Sequence, residues 1–598
     1  MALSRKIAYI DLDTGKVKTA VISPDLRKQY LGGRGLNIHY LSEKLKANGP
    51  LVRDNVIVVG AGLLGGTLAS ASGRTHIASK SPATGYLGGA NIGGYFAPSL
   101  RWSGFDHLVI SGKAPRPSFV LVHDGKVRIL DASFLWGQTV PDTQEILRKE
   151  LEDEEIQALC IGPAGENQVR YAGVANGHQG ASWRDGMGAV FGSMNLKAIV
   201  AKGSGGIEIE YPNEAIEYDR GMVRALTIGE FGRGMQTTGV SSLDGLDVQR
   251  LSDYIVGADS CHNCQLHCWD RYVIKTGTHA GTYGQGPGYR VRQAWVEVLG
   301  DQADSILVAN YLASLYGLDN LETANLIGWA IELYEEGVLT KAATGGLELH
   351  SENGEAIFEL IGQIARREGL GKVLADGGTE AARKVGAESE KYIRQTKGVA
   401  DLFGEAPTPW QALGVATATR ACDHIRYLPA NDPCRLPEPV MKDMFNKPVP
   451  YEGPLSSDCW DGAGKPWMVY WREMCSMAAD MLGVCDFHTA LFSPEGPGFD
   501  DFSKMVRLNT GLDLSPVEIW EAASRAYDLE RQFNMCEGYT DKDDLLGFSR
   551  ATGGSLEAHD FQSLLPEYYA LHGWDSQGNP DNERNAPASV AGQGRGST

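Results

Sequence analysis

Apolar and polar positions alternate with a period of two in the first third of the chain and with a helical period beyond it. Lys6-Ile7-Ala8-Tyr9-Ile10-Asp11-Leu12 alternates, Asp13-Thr14-Gly15-Lys16 carries turn residues, and residues 17–21 return, which predicts a β-hairpin. Short apolar runs at Val56-Ile57-Val58-Val59, Leu108-Val109-Ile110, Phe119-Val120-Leu121-Val122 and Ala198-Ile199-Val200 predict further strands, so residues 1–206 read as strand-rich. From about 207 the pattern turns helical. Ile327, Ala330, Ile331 and Tyr334 recur at helical spacing, with Gly337 as the stop. Ile357, Phe358, Leu360, Ile361 and Ile364 repeat the pattern, stopping near Gly369. No internal repeat or long linker is visible. From about residue 577 Asn, Pro, Gly and Ser replace large apolar residues, which predicts a loose tail.

The 598 residues suffice for two to four domains with a large core. A formal charge of −20 without a long basic run argues against nucleic acid or an anionic membrane as a partner. No apolar run approaches the ~18 residues needed to span a bilayer. The N-terminus runs straight into an alternating strand, without an apolar signal core. Ten cysteines are too sparse for a disulfide scaffold, so the expected compartment is a reducing cytoplasm. Glycine loops at Gly32-Gly33-Arg34-Gly35, 60–66, Gly88-Gly89-Ala90-Asn91-Ile92-Gly93-Gly94 and Gly186-Met187-Gly188 form neither a dinucleotide fingerprint nor a Walker loop. Together they read either as a backbone-lined bed for a large polar ligand or as plain turn chemistry.

Cys261-His262-Asn263-Cys264-Gln265-Leu266-His267-Cys268 sets three cysteines two and then three residues apart. Thiolates this crowded favour a soft metal centre. An iron–sulfur cube needs a fourth cysteine, which distant sequence can supply. Zinc is the alternative, with His262 or His267 as the fourth ligand. The order of spacings is the reverse of the radical-type cluster motif.

These features, taken with others in the same order along the chain, resemble the aldehyde ferredoxin oxidoreductases, tungsten enzymes with a bis-pterin cofactor and one [4Fe-4S] cluster. The resemblance runs from residue 5 to about 545. It is carried by Tyr30-Leu31-Gly32-Gly33-Arg34-Gly35-Leu36, Ser72-Gly73-Arg74 with Lys80-Ser81-Pro82, Asn91-Ile92-Gly93-Gly94-Tyr95-Phe96, and Asp131-Ala132-Ser133. It continues through Ile161-Gly162-Pro163-Ala164-Gly165-Glu166-Asn167, Gly188-Ala189-Val190-Phe191-Gly192-Ser193 and Asn195-Leu196-Lys197-Ala198. The cysteine triplet, Tyr316-Gly317-Leu318-Asp319 and Asp480-Met481-Leu482-Gly483-Val484-Cys485 complete it.

The resemblance implies an α+β protein. A two-layered β base domain for the cofactor spans 1–206, a helical domain with the cysteine loop spans 207–395, and a helical C-terminal domain spans 396–598. It implies that Cys261, Cys264, Cys268 and Cys485 hold the cluster and that Arg74 lies between cluster and pterin. Backbone oxygens of Asn91 and Ala181 would bind a Mg2+ that bridges the pterin phosphates. Gly93 and Arg184 would touch phosphate or pterin, and Ser314, Leu318, Asp319, Arg420, Arg426, Asp480 and Val484 match pterin-contacting positions. His424 matches the family histidine beside the metal, placed for acid–base work.

The chain also departs from the family pattern. Where a glutamate follows Gly-Pro, this chain reads Gly286-Pro287-Gly288-Tyr289-Arg290, with Glu297 the nearest downstream acid. Ser314 stands for an aspartate, and Gly180 and Trp183 for arginine and glycine. Arg290 in place of a carboxylate favours an anionic or carbonyl substrate. The expected activity is oxidation of an aldehyde to a carboxylic acid, with electrons leaving for ferredoxin or a ferredoxin-like electron-transfer subunit. Low-potential reduction of an aryl- or acyl-CoA thioester on the same fold is the second expectation, and a zinc-stabilised binding scaffold the third. The resemblance leaves tungsten against molybdenum open, and the assembly open between homodimer and hetero-oligomer. Cys160, Cys422, Cys434, Cys459, Cys475 and Cys536 show no ligand spacing and are expected to be buried hydrophobes.

Overall fold

A computed structural model describes residues 3, 5–48, 56–177, 180–181, 184–229, 251, 253–386, 388–400, 407–421, 423, 434, 436–545 and 559–581. The hairpin is β1 (Lys6–Asp11) with β2 (Lys16–Val21), and it joins β3 (Val56–Ala61), β4 (Thr75–Lys80), β5 (Leu87–Ile92) and β6 (Phe105–Ser111) in a six-stranded sheet of order β2-β1-β6-β3-β4-β5. A second six-stranded sheet contains β7 (Ser118–His123), β8 (Lys126–Asp131), β9 (Gln157–Cys160), β10 (Ala175–Asn176), β11 (Gly180–Ala181) and β12 (Leu196–Lys202), ordered β11-β10-β9-β12-β7-β8. Only the β1–β6 and β7–β12 pairs are parallel.

The apolar runs are continuous because both faces of these strands are covered. Ile57 and Val59 join Val120, Val122, Ile199 and Ala201 in the core between the sheets. Their alternates Val56 and Val58 enter the core shared with the helices, and Ala198 and Val200 pack outward on Val140 and Leu147. Two quoted motifs meet beside the second sheet, where Lys197 Nζ lies 2.5 Å from Glu166 Oε1 and 2.9 Å from the Gln138 carbonyl.

Beyond these sheets the described chain is mostly helical, apart from a two-stranded antiparallel ribbon of Gln395–Thr396 with Val399–Ala400 and one larger sheet. β13 (Ile255–Asp259), β14 (Trp269–Val273) and β15 (Tyr283–Gln285) form a small antiparallel sheet, and the cysteine triplet lies between β13 and β14. These strands carry no continuous apolar run, since only one side is covered: Tyr272 and Ile274 pack on Leu307 and Val308 of the helix Ala303–Tyr316. The helix Asn320–Glu335 ends before Gly337, as expected. The helix Gly354–Arg366 ends three residues before Gly369, because Arg367 already turns left-handed at φ 55°. The described part of the C-terminal tail is tied down past 577, since the buried Arg531 donates to the Gly578 carbonyl at 3.1 Å. No helix among the described residues is long and apolar enough to cross a membrane.

The helix Lys465–Leu482 is buried along its whole length and delivers Asp480 to the base sheet. Its last carbonyls would be orphaned in the interior. The β3–β4 loop meets them: Leu63 N–H donates to Met481 O at 3.1 Å and Leu64 N–H to Leu482 O at 2.9 Å. Gly483 stops the helix at φ +80°. Gly62 faces it so closely that a Cβ there would lie 2.0 Å from the Gly483 nitrogen. Gly62 therefore serves a backbone-to-backbone approach, while Gly60 leaves room for the side chains of His107 and Asn37.

Candidate functional site

Three segments distant in sequence converge beside this helix end. Ala71 N–H donates to Asn263 O at 2.7 Å, Cys485 N–H to Ala71 O at 3.1 Å, His262 N–H to Gly94 O at 3.2 Å, and Arg74 N–H to Gly483 O at 3.2 Å. Asn263 and His267 take left-handed φ values of 49°, which folds the triplet into tight turns. The result brings Cys261, Cys264, Cys268 and Cys485 within reach of one another's charge. Burial first, and then Cys261, push the Cys264 thiol up to about 11. Burial, opposed by Arg74 and reinforced by Cys264 and Cys261, pushes Cys485 up to about 12. Cys268 is raised well above its ordinary value by burial and then by the other three cysteines. Such sulfurs stay protonated until a cation replaces the proton.

Four thiolates are the ligand set of a cube, one on each iron. The packing also fits a group at these sulfurs: a Cβ on Gly93 would lie 2.6 Å from Cys261 Sγ and 2.8 Å from Arg74 Nη1, so glycine keeps the wall open.

Arg74 joins the cysteines to the polar bed. Burial works against its charge, but Cys485, Cys261, Asp486 and Asp480 outweigh it and raise its pKa. Its Nε donates to Asn91 Oδ1 at 2.6 Å and its Nη2 to the Asn91 carbonyl at 2.7 Å, the oxygen that the resemblance assigns to magnesium. Asn91 Nδ2 in turn donates to Asp480 Oδ1. Asp480 lies inside its helix and is not a cap; its Oδ2 accepts from Arg34 Nη1 at 3.0 Å. Arg34 is clamped on Glu530 through Nε and Nη2, both at 2.7 Å.

Of the other expected residues, Arg420 reaches the strand that carries Asn91. Arg420 donates to the Gly89 carbonyl at 2.5 Å, lies 3.0 Å from the buried Asp423, and stands 3.6 Å from Asp185. Arg184 is buried at φ 84° with its Nη2 on the Ala400 carbonyl. Asp319 caps the helix Asn320–Glu335 through Glu322 N–H at 2.6 Å. Leu318 and Val484 are buried, and Ser314 Oγ accepts from Asn320 Nδ2 at 3.0 Å. Ala181 lies in β11. His424 and Arg426 lie outside the described residues, as does Cys422. Arg290 binds Gln293 Oε1 at 2.8 Å, and Glu297 is exposed beside Glu322 and Asn325. Among the remaining cysteines Cys160 and Cys475 are buried as expected, but Cys434 and Cys459 are half-buried. Cys536 is exposed because it ends the helix Pro516–Cys536 on its solvent side.

Three acceptors in this region point to a missing donor. Asp185 Oδ1, Asp319 Oδ2 and Asn176 Oδ1 are buried without a hydrogen-bond partner among the described residues. An unmet buried acceptor costs about 1–3 kcal/mol, and the amino and ring N–H groups of a pterin are the kind of donor that satisfies it. Burial holds Asp185 up at about 7, against the pull of Arg420 and the Gly89 N–H, and also raises Asp319. The donor set therefore fits an organic cofactor. Arg34, Asp185, Asn176 and His488 were not picked out from the sequence. Arg34 stood inside a quoted glycine motif, while the other three carry no local signal.

A two-sheet base and a capping set of helices, with cysteines packed against a buried polar bed, make an α+β protein built around that bed. Residues 7–203 match the N-terminal domain of the aldehyde ferredoxin oxidoreductases and residues 222–586 match domains 2 and 3. The chain belongs to the aldehyde ferredoxin oxidoreductase family. It is 30% identical to the tungsten-containing aldehyde ferredoxin oxidoreductase of Pyrococcus abyssi, covering 97% of each chain. It is 28% identical to the aliphatic sulfonate oxidoreductase, WOR-like subunit, of Pyrococcus furiosus, over 97% of this chain and 96% of that one. The active-site complex BamBC of benzoyl coenzyme A reductase superposes with a TM-score of 0.81 at 24% identity, covering 97% of this chain and 96% of that one, a likeness of fold. Membership in the family implies a tungsten–pterin cofactor and a [4Fe-4S] cluster.

Proposed function

We propose that the protein oxidises an aldehyde, with water, to a carboxylic acid and passes two electrons, one at a time, to ferredoxin or a ferredoxin-like subunit. The observation that carries this reading is Arg74, whose charge is favoured by Cys485 and Cys261 and whose guanidinium hydrogen-bonds Asn91, itself bonded to Asp480. When bound, the tungsten–pterin group supplies the two-electron chemistry and the cluster the one-electron exit. Cys261, Cys264, Cys268 and Cys485 hold the cluster. Asp480, Asp319, Leu318, Val484, Ser314, Arg420 and Arg426 seat the pterin rings. Gly93 and Arg184 would serve the phosphates, and the carbonyls of Asn91 and Ala181 would hold a Mg2+. His424 takes a proton from water as it adds to the carbonyl carbon. Arg290, a cation where the family pattern has a carboxylate, would favour an anionic or carbonyl substrate.

The test is reduction of ferredoxin by a panel of aldehydes set against a panel of CoA thioesters. Aldehyde-dependent reduction is expected, lost in His424→Ala at unchanged metal content. Retained turnover in that variant would remove His424 from the mechanism. The second reading, thioester reduction, is favoured by the absence of a carboxylate at Gly288 and takes over if aldehydes are inert while a CoA thioester is reduced.

A further inference from the structure

His488 ends the short turn Asp486–His488 that follows Cys485. Its side chain is buried, and its Nε2 lies 3.4 Å from Cys264 Sγ. The turn is fixed on both sides, since Cys485 N–H binds Ala71 O and His488 N–H binds Cys485 O at 2.8 Å. Leu226, Leu266 and Phe487 pack around Cys264 and Cys268, so the contact is shielded by apolar side chains. Cys264 also receives the backbone N–H groups of Leu266 and His267. An iron-bound cysteine sulfur has no proton to give, so a hydrogen bond between these two atoms requires the hydrogen on Nε2.

We propose that His488 is a positioning residue for electron transfer: its Nε2–H donates to the Cys264 sulfur and raises the reduction potential of the cluster. The inference rests on the cluster reading above. Reduction adds negative charge to the cluster and its sulfurs, so a donor aimed at one sulfur stabilises the reduced state more than the oxidised one. His488 sits at a corner that already receives two backbone N–H groups and supplies a side-chain donor from 224 residues away.

The experiment is an anaerobic redox titration of the holoenzyme, following the electron paramagnetic resonance of the reduced cluster in the parent, His488→Phe and His488→Gln. Phe keeps the bulk and removes the donor, and Gln restores an N–H at similar reach. The expected result is a more negative potential in H488F, a return toward the parent value in H488Q, and equal iron in all three. An unmoved potential in H488F, or an H488Q value as negative as that of H488F, would overturn the role. Because H488F can fail to load iron, the parent labelled with 15N-histidine supplies a second readout. A histidine nitrogen coupling in the reduced-cluster spectrum that vanishes in H488Q supports the proposal, and a parent spectrum without one overturns it. A parent preparation without iron would refute the cluster reading itself, an outcome separate from an iron-loaded protein whose potential ignores residue 488.

Discussion

Gly93→Ala adds one methyl group at the wall between cysteines and polar bed. Gly93 does not adopt a left-handed φ, so alanine brings no backbone strain, and the whole effect is steric. The new Cβ would meet Cys261 Sγ at 2.6 Å and Arg74 Nη1 at 2.8 Å, both shorter than carbon atoms tolerate. Arg74 cannot simply swing away, because it holds Asn91 by hydrogen bonds of 2.6 and 2.7 Å. Overpacking costs about 1–3 kcal/mol, and breaking one hydrogen bond to a charged group adds about 1.5–3 kcal/mol. A net loss on the order of 4 kcal/mol corresponds to about a thousandfold shift in the equilibrium for holding the cluster. The assay is iron per chain retained after anaerobic incubation with a chelator, with the thermal transition alongside. Gly221→Ala is the control: Gly221 lies exposed in the helix Pro212–Ile228 with nothing near its Cβ. It should leave iron unchanged and stabilise by roughly 0.5–1 kcal/mol. Full iron retention and an unchanged transition in G93A would refute the packing argument.

Asp185 links stability to pH. Its folded pKa of about 7 lies above the ordinary carboxylate value, so the folded apoprotein holds a proton that the unfolded chain releases near pH 4. The contribution is therefore fully present below about pH 4 and lost as pH rises toward 7, on the order of 4 kcal/mol at most; apo Asp185→Asn should show a flatter decline in urea stability across that window, and parallel profiles would contradict the assignment. Lys197→Met leaves Glu166 charged and buried, which should cost about 3–5 kcal/mol. The check is the shift in urea midpoint, and a change under about 1 kcal/mol would show that the pair is dispensable.

The strands were legible because continuous apolar runs such as residues 56–59 satisfy two cores at once. The three-stranded sheet was not, because Trp269-Asp270-Arg271-Tyr272-Val273 buries one face only and its alternation is short. The glycines were legible as sites of close backbone approach, though Gly60, Gly88 and Gly89 sit in strands and Gly33 and Gly35 open a helix. Cysteine spacing and the six residues from Asp480 to Cys485 pointed to the region where the chain converges. Arg34 was hidden by distance, since its clamp Glu530 is 496 residues away. Asp185 and His488 follow the same rule: a carboxylate or imidazole acquires its character from burial and from neighbours that only the fold brings near.

The account's central claim is that these cysteines hold a cluster next to a metal–pterin cofactor. Elemental analysis of anaerobically purified protein for W, Mo, Fe, Zn and Mg tests it most directly. About four irons and one tungsten per chain are expected from one cube and one pterin-bound metal. Zinc alone, with neither tungsten nor molybdenum, would contradict the claim and leave a metal-stabilised scaffold in its place.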